Sequence, residues 1–199
     1  MFKLIYKNYN LIAGVDEVGC GALAGPVVAA AVILNEKFKI HGLKDSKKIS
    51  IKNRLYISKE IKKKSLDWHI GVANAQEVDK FNILNARMIA MKRAILGLNL
   101  KPSYIFIDGN KSPNISIPIH CVVNGDNIIK EISAASIIAK VIRDSKLNKI
   151  HSYFPEYNFN KNKGYPTKDH ILAIHKFGVT NLHRLSFSPM SSFIHIDHK

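Results

Sequence analysis

At 199 residues the chain has the length of one ordinary domain with a small appendage, long enough to bury a core and too short for a multidomain machine. Its 46% hydrophobic and 23% charged residues, with no low-complexity tract, exclude a disordered tail, and thirty Lys plus Arg against fifteen Asp plus Glu give +15, which favours a polyanionic partner such as nucleic acid. Only Arg54, Arg87, Arg93, Arg143 and Arg184 are arginines, so the excess is mostly lysine in an Ile- and Asn-rich chain. Such a bias follows codon usage as readily as binding, and the placement of the cations matters more than their number.

The longest strictly apolar run, residues 22–34, has 13 residues and contains Gly25 and Pro26, short of the roughly 20 that a membrane helix needs. The N-terminal stretch is broken by Asn8 and Asn10 and then by Asp16 and Glu17, so it carries no signal-peptide core and the expected compartment is the cytoplasm. Cys20 and Cys121 match no metal-ligand spacing and are expected to be free thiols.

In chain order, residues 11–15 are a short apolar run ending in Asp16-Glu17, followed by a glycine-rich turn from Gly19 to Pro26 and a second apolar run over 27–34. Ser50 is placed to cap a Lys-rich helix over 51–64, and residues 67–74 alternate as a third strand, which completes an antiparallel meander. Ile83, Leu84, Met88, Met91, Ile95 and Leu98 then recur at helical spacing ahead of Pro102. Residues 104–107 form a continuous apolar strand of the kind buried on both faces in a parallel sheet. A fifth strand is expected over 117–123 and a helix over 133–150. After Pro155 a polar, aromatic segment leads to a short helix over 168–177, capped by Thr167 and ended by Gly178. The expected division is a main α/β domain, 1–150, and a C-terminal helical extension, 151–199, packed on it.

Three apolar strands end in acids: Asp16-Glu17 after Val15, Asp108 after Ile107, and Asp126 shortly after Val123. If the first and fourth strands are parallel neighbours, these acids converge at one sheet edge, where open sheets bind ligands. Converging carboxylates repel unless a cation lies between them, and an all-oxygen set selects Mg2+ or Mn2+. Taken singly, Asp108-Gly109-Asn110 and Asn124-Gly125-Asp126 are ordinary turns. The pair Asp16-Glu17 is not, because it places two charges at the end of a core strand. Adjacent strand residues point to opposite faces, so both serve one site only if Glu17 already lies in the turn.

The run Gly14-Val15-Asp16-Glu17-Val18-Gly19-Cys20-Gly21-Ala22-Leu23-Ala24-Gly25-Pro26-Val27-Val28 resembles the N-terminal signature of the ribonuclease HII family. The likeness continues in order through Asp45-Ser46-Lys47-Lys48, Ile107-Asp108-Gly109-Asn110, Gly125-Asp126, the segment from Ser133 to Asp144, and Lys163-Gly164-Tyr165-Pro166-Thr167. The resemblance implies a ribonuclease H-like fold, a mixed five-stranded sheet flanked by helices with a C-terminal helical extension. It also implies an endoribonuclease that cleaves RNA in RNA–DNA hybrids, including single ribonucleotides embedded in duplex DNA. Two-metal hydrolysis with Mg2+ or Mn2+ would leave 5′-phosphate and 3′-hydroxyl ends. Asp16, Glu17, Asp108 and Asp126 are then the catalytic and metal-binding acids of a monomer that requires no protein partner and no membrane.

On the substrate side the resemblance points to Gly19, Cys20, Gly21, Ser136 and Tyr165, the tyrosine packing against the sugar at the RNA–DNA junction. Lys47 and Lys48, beyond a turn, and Lys140 and Arg143, three apart on one helical face, are candidate phosphate contacts. Lys62, Lys63, Lys64, Lys146 and Lys149 read as a solvated face, Asp144 as the helical partner of Lys140, and the histidines as solvated or packed, with His183 beside Arg184 placed to approach substrate. The family carries arginine where this chain has Cys20. An arginine restored there is expected to tighten substrate binding, unless Lys47 or Lys48 already holds that phosphate. The competing classes are a nucleic-acid-binding protein without turnover, which the four retained acids oppose, and a Mg2+-dependent phosphatase of small esters, which leaves the basic excess unexplained.

Overall fold

The computed structural model describes residues 2–43, 46 and 49–190. Five strands, β1 (Ile12–Val18), β2 (Val27–Ile33), β3 (Asp67–Ala73), β4 (Tyr104–Asp108) and β5 (Ile119–Val122), form one sheet in the order β3-β2-β1-β4-β5. The first three make the expected antiparallel meander, and β1, β4 and β5 run parallel. Connection length does not dictate the pairing: β2 and β3 are antiparallel across residues 34–66, which contain the helix Ile51–Lys64, and β4 and β5 are parallel across residues 109–118, which contain no helix.

Every residue of β2 is buried because the sheet is covered on both faces. On one face α3 (Ala75–Leu96) lays Ala86, Ala90, Met91, Ala94 and Ile95 against Ala13, Val15, Ala29, Ala31, Ile105 and Ile107. On the other, α4 (Lys130–His151), backed by α2 (Ile51–Lys64), packs Ala134, Ala135, Ile137 and Ile138 on Val28, Ala30 and Val32. Small residues on both sides let helix and sheet approach closely. At Gly14 the approach is backbone to backbone, and a Cβ there would run into the Glu131–Ile132 peptide.

Several element boundaries differ from the sequence expectation. β1 continues to Val18, three residues further than expected, so Asp16 and Glu17 belong to the strand. α3 starts at Ala75 behind an Asn74/Glu77 capping box and kinks at Asn82 (φ 63°), so the expected helix is its second segment. Arg93 braces the kink by binding Glu77 through both terminal nitrogens (2.9 and 2.7 Å). Leu84, expected on the buried face, is exposed. The helix α1 (Phe2–Asn8) was not anticipated: it is held by packing of Phe2, Ile5 and Tyr6 on Phe106, Ile12 and Ile132. The Tyr6 hydroxyl also donates to Glu131 Oε2 at 2.6 Å.

Beyond α4 the chain forms α5 (Phe159–Asn162) and α6 (Lys168–Phe177), the latter capped by Thr167 and followed by Gly178, as expected. Its core is Tyr157, Phe159, Ala173, Ile174 and Met190, shared with Leu23, Ala24 and Leu147. The extension is thereby seated on the glycine-rich turn between β1 and β2. Among the described residues no helix is long and apolar enough to cross a membrane. Both cysteines are free.

Candidate active site

The parallel pairing of β1 and β4 ends at Val15 opposite Ile107, and the next residues along these strands are Asp16-Glu17 and Asp108. Here the sheet opens into a cleft of about 280 Å³, lined by all four predicted acids, Asp16, Glu17, Asp108 and Asp126, together with residues 18–21, Ser46, Ser136, Lys140 and Tyr165. A larger hollow of about 520 Å³ lies among residues 34–43 and Lys130, but its one acid is Glu36. The smaller cleft has the convergent polar groups that chemistry requires.

Glu17 lies within β1, opposite Ala29, and not in the turn. Its side chain is on the α3 face and that of Asp16 on the α4 face. They share one cleft because the cleft wraps around the open strand end. Asp16 is buried and accepts the Glu17 N–H at 2.7 Å. Burial, reinforced by Glu17 and Asp108 and opposed by a Ser136 hydrogen bond, pushes its carboxyl well above the usual range. Burial also raises the Glu17 carboxyl, against the opposing charge of Arg87. Asp108 Oδ1 accepts the Gly125 N–H at 2.7 Å, so the acid of β4 fixes the turn that carries Asp126.

The glycine-rich turn is pinned from beneath by two buried arginines. Arg184 binds the carbonyls of Cys20 (2.9 Å) and Gly25 (2.8 and 3.1 Å). Arg143 binds the carbonyls of Pro26 (2.9 Å), Ala24 (3.3 Å) and Lys163 (2.9 Å). Arg143 is therefore not the phosphate contact predicted from its helical position: it is 0% exposed, and its fork is occupied by main-chain oxygens. At Gly19 (φ 96°) a Cβ would meet the Arg143 side chain, so this turn needs glycine for both conformation and space.

Tyr165 lines the cleft with its ring centroid 5.2 Å from the Arg143 guanidinium carbon. Ser136 also lines it and its hydroxyl is hydrogen-bonded to that of Ser46 at 3.0 Å, tying α4 to the segment that carries Lys47 and Lys48, which themselves lie outside the described residues. Lys140 reaches the cleft while bound to Asp144 at 3.0 Å, the expected pairing. His183, expected to approach substrate, does not line the cleft. It is buried in a relay in which the Thr180 N–H meets His183 Nδ1 (2.9 Å), His183 Nε2 faces His170 Nε2 (3.2 Å), and His170 Nδ1 faces the Tyr165 carbonyl (2.9 Å).

One residue beside the site was not foreseen. Arg87, from α3, places Nη2 2.6 Å from Glu17 Oε1, the oxygen that Cys20 Sγ also approaches at 3.5 Å. Burial and the Glu17 charge push the Cys20 thiol up to about 12, so it stays protonated and donates. The helical period shows which face of α3 packs, but not which sheet-edge acid a long side chain from its border reaches.

The family model described as Ribonuclease HII matches residues 13–190. The fold is similar to the ribonuclease H2 of Pyrococcus horikoshii OT3 (TM-score 0.77, 24% identity, covering 92% of this chain and 97% of that one). It is also similar to the RNase HII in the PCNA complex from Archaeoglobus fulgidus (0.75, 23%, 89% and 95%). Bst-RNase HIII in complex with Mn2+ is similar as well (0.67, 17%, 92% and 69%).

Proposed function

From the premise that the chain belongs to the ribonuclease HII family and is a ribonuclease H hydrolase, an endoribonuclease of RNA–DNA hybrids, we propose that it also cuts at single ribonucleotides embedded in duplex DNA. In this reading it uses two Mg2+ or Mn2+ ions and leaves 5′-phosphate and 3′-hydroxyl ends. It acts in the cytoplasm, as a monomer and without a protein partner. The observation that carries the reading is the convergence of Asp16, Glu17, Asp108 and Asp126 on one cleft.

The residues present fit divalent cations. The donors are all carboxylate oxygens, Asp16 is a buried acid beside two others, and Glu17 Oε2 is buried without a hydrogen-bond partner among the described residues. Among the described residues no three such side chains already stand at metal-ligand spacing, so the acids line an open cleft and not a closed cage. Such openness suits an ion held by one or two carboxylates and completed by a substrate phosphate and water. Asp16, Glu17, Asp108 and Asp126 would hold the ions, which when bound supply Lewis-acid stabilisation to the attacking and leaving oxygens.

The chain's own side chains do the rest. Gly19 and Gly21 let the backbone approach a ribose closely, and Lys140 lends positive charge to the rim that meets the phosphates. The Tyr165 ring, held over Arg143, is a flat wall against which a sugar lacking a 2′-hydroxyl can pack. Incubation with duplex DNA containing one ribonucleotide, with Mg2+, Mn2+ or chelator, followed by mapping of the cut, tests the reading. A metal-dependent cut at the ribonucleotide is expected, and cleavage in chelator, or none with either ion, overturns it.

A further inference from the structure

Glu17 is held on one oxygen only. Arg87 Nη2 lies 2.6 Å from Oε1 and Cys20 Sγ 3.5 Å from the same atom, while Oε2 is buried with no hydrogen-bond partner among the described residues. A buried carboxylate with one oxygen fixed and the other free is oriented to take a further ligand on the free one. The fixing group comes from a rigid support. Arg87 adjoins Ala86 and lies one turn from Ala90 and Met91, all fully buried beneath the sheet. Arg87 does not line the cleft, so it acts on the site through Glu17 and not through the substrate.

We propose that Arg87 is the positioning residue of the acidic cluster: it clamps Glu17 Oε1 from α3 and leaves Oε2 as the oxygen offered to a cation. This rests on the reading of the cluster as a metal-dependent nuclease centre. Cys20 belongs to the same device. It shares Oε1 with Arg87, so a side chain there has to be small and uncharged while Arg87 is in place. A guanidinium at position 20 would bring a second cation to the Glu17 carboxylate, where Arg87 already holds Oε1 and the remaining oxygen, Oε2, is the one offered to the metal. The expectation that an arginine restored at position 20 improves the enzyme is therefore reversed: with Oε1 held from α3, a second guanidinium would occupy the oxygen left for the cation.

The test is a double-mutant cycle of Cys20→Arg and Arg87→Gln, read in two ways. The first readout is kcat and KM for cleavage of duplex DNA with one embedded ribonucleotide in Mg2+. The second is the melting temperature in chelator without substrate. Arg87→Gln should lower kcat about tenfold or more with KM little changed, since a charged hydrogen bond to Glu17 is lost and no phosphate contact is touched. Cys20→Arg alone should lower both kcat and the melting temperature. The double variant should recover most of both losses, because the guanidinium then reaches Glu17 from the turn. Arg87→Lys, which keeps a cation but not the fork, should fall between wild type and Arg87→Gln, and it tests the clamp even if Cys20→Arg fails to fold.

A double variant no better than the worse single one in both readouts, or Arg87→Gln within about twofold of wild type in kcat, overturns the proposal. If the wild type itself does not cleave, the reading of the site falls. The melting cycle in chelator still decides the clamp, and purely additive losses there refute it.

Discussion

The Arg143 guanidinium lies against the Tyr165 ring, 5.2 Å from its centroid, while binding the carbonyls of Ala24 and Pro26 in the glycine-rich turn and of Lys163 in the loop that carries the tyrosine. A cation at a phosphate-facing helical position by sequence is thus the pin that sets two cleft walls against each other.

Removing the pin should cost stability and leave the phosphate electrostatics alone. Arg143→Gln strands several buried carbonyls and should destabilise the fold by roughly 3–5 kcal/mol, read by urea denaturation. The slope of log affinity for an RNA–DNA hybrid against log salt should not change in the protein that remains folded. Lys140→Ala should do the opposite, with a slope shallower by about one contact and a small change in stability.

Tyr165 should separate activity from stability. Its ring is half-buried and faces the cleft, so Tyr165→Ala should lose cleavage at a single embedded ribonucleotide far more than it loses melting temperature. Tyr165→Phe keeps the flat wall and should keep most of the activity. A steep fall in melting temperature with unchanged cleavage by Tyr165→Ala would make it a packing residue.

The strand meander, the capped α2 and α6, and the four acids were legible because each depends on local pattern: alternation, a capping hydroxyl, a charge at the end of an apolar run. What was not legible depends on partners distant in sequence. α1 is helical because Phe2, Ile5 and Tyr6 find Phe106 and Glu131, more than a hundred residues away. Arg143 and His183 look like surface groups until the carbonyls and the second imidazole that enclose them are placed. Glu17 reaches the cleft from within its strand because the sheet edge opens beside it, which strand periodicity alone does not convey.

The His170–His183 relay should make the extension acid-sensitive. Burial lowers both imidazoles, His183 to about 4, so the neutral forms belong to the folded state. Their stabilisation is fully present above the ordinary histidine value near 6.5 and is lost as pH falls toward 4, since the unfolded chain takes up the protons first. His183→Asn cannot titrate but can still accept the Thr180 N–H. The difference in unfolding free energy between wild type and this variant should therefore shrink from pH 7.5 to pH 5, by on the order of 1–2 kcal/mol. A difference independent of pH would place the titration elsewhere.

The most direct measurement is cleavage of a single-ribonucleotide duplex in Mg2+ by Asp108→Asn, beside its melting curve. The amide oxygen still accepts the Gly125 N–H that fixes the turn of Asp126, so the fold should survive while one charge of the cluster is removed. The prediction is a loss of turnover on the order of a hundredfold to a thousandfold, with the melting temperature in chelator preserved or raised as repulsion of Asp16 is relieved. Turnover equal to that of the wild type would contradict the assignment of this cleft as the catalytic centre.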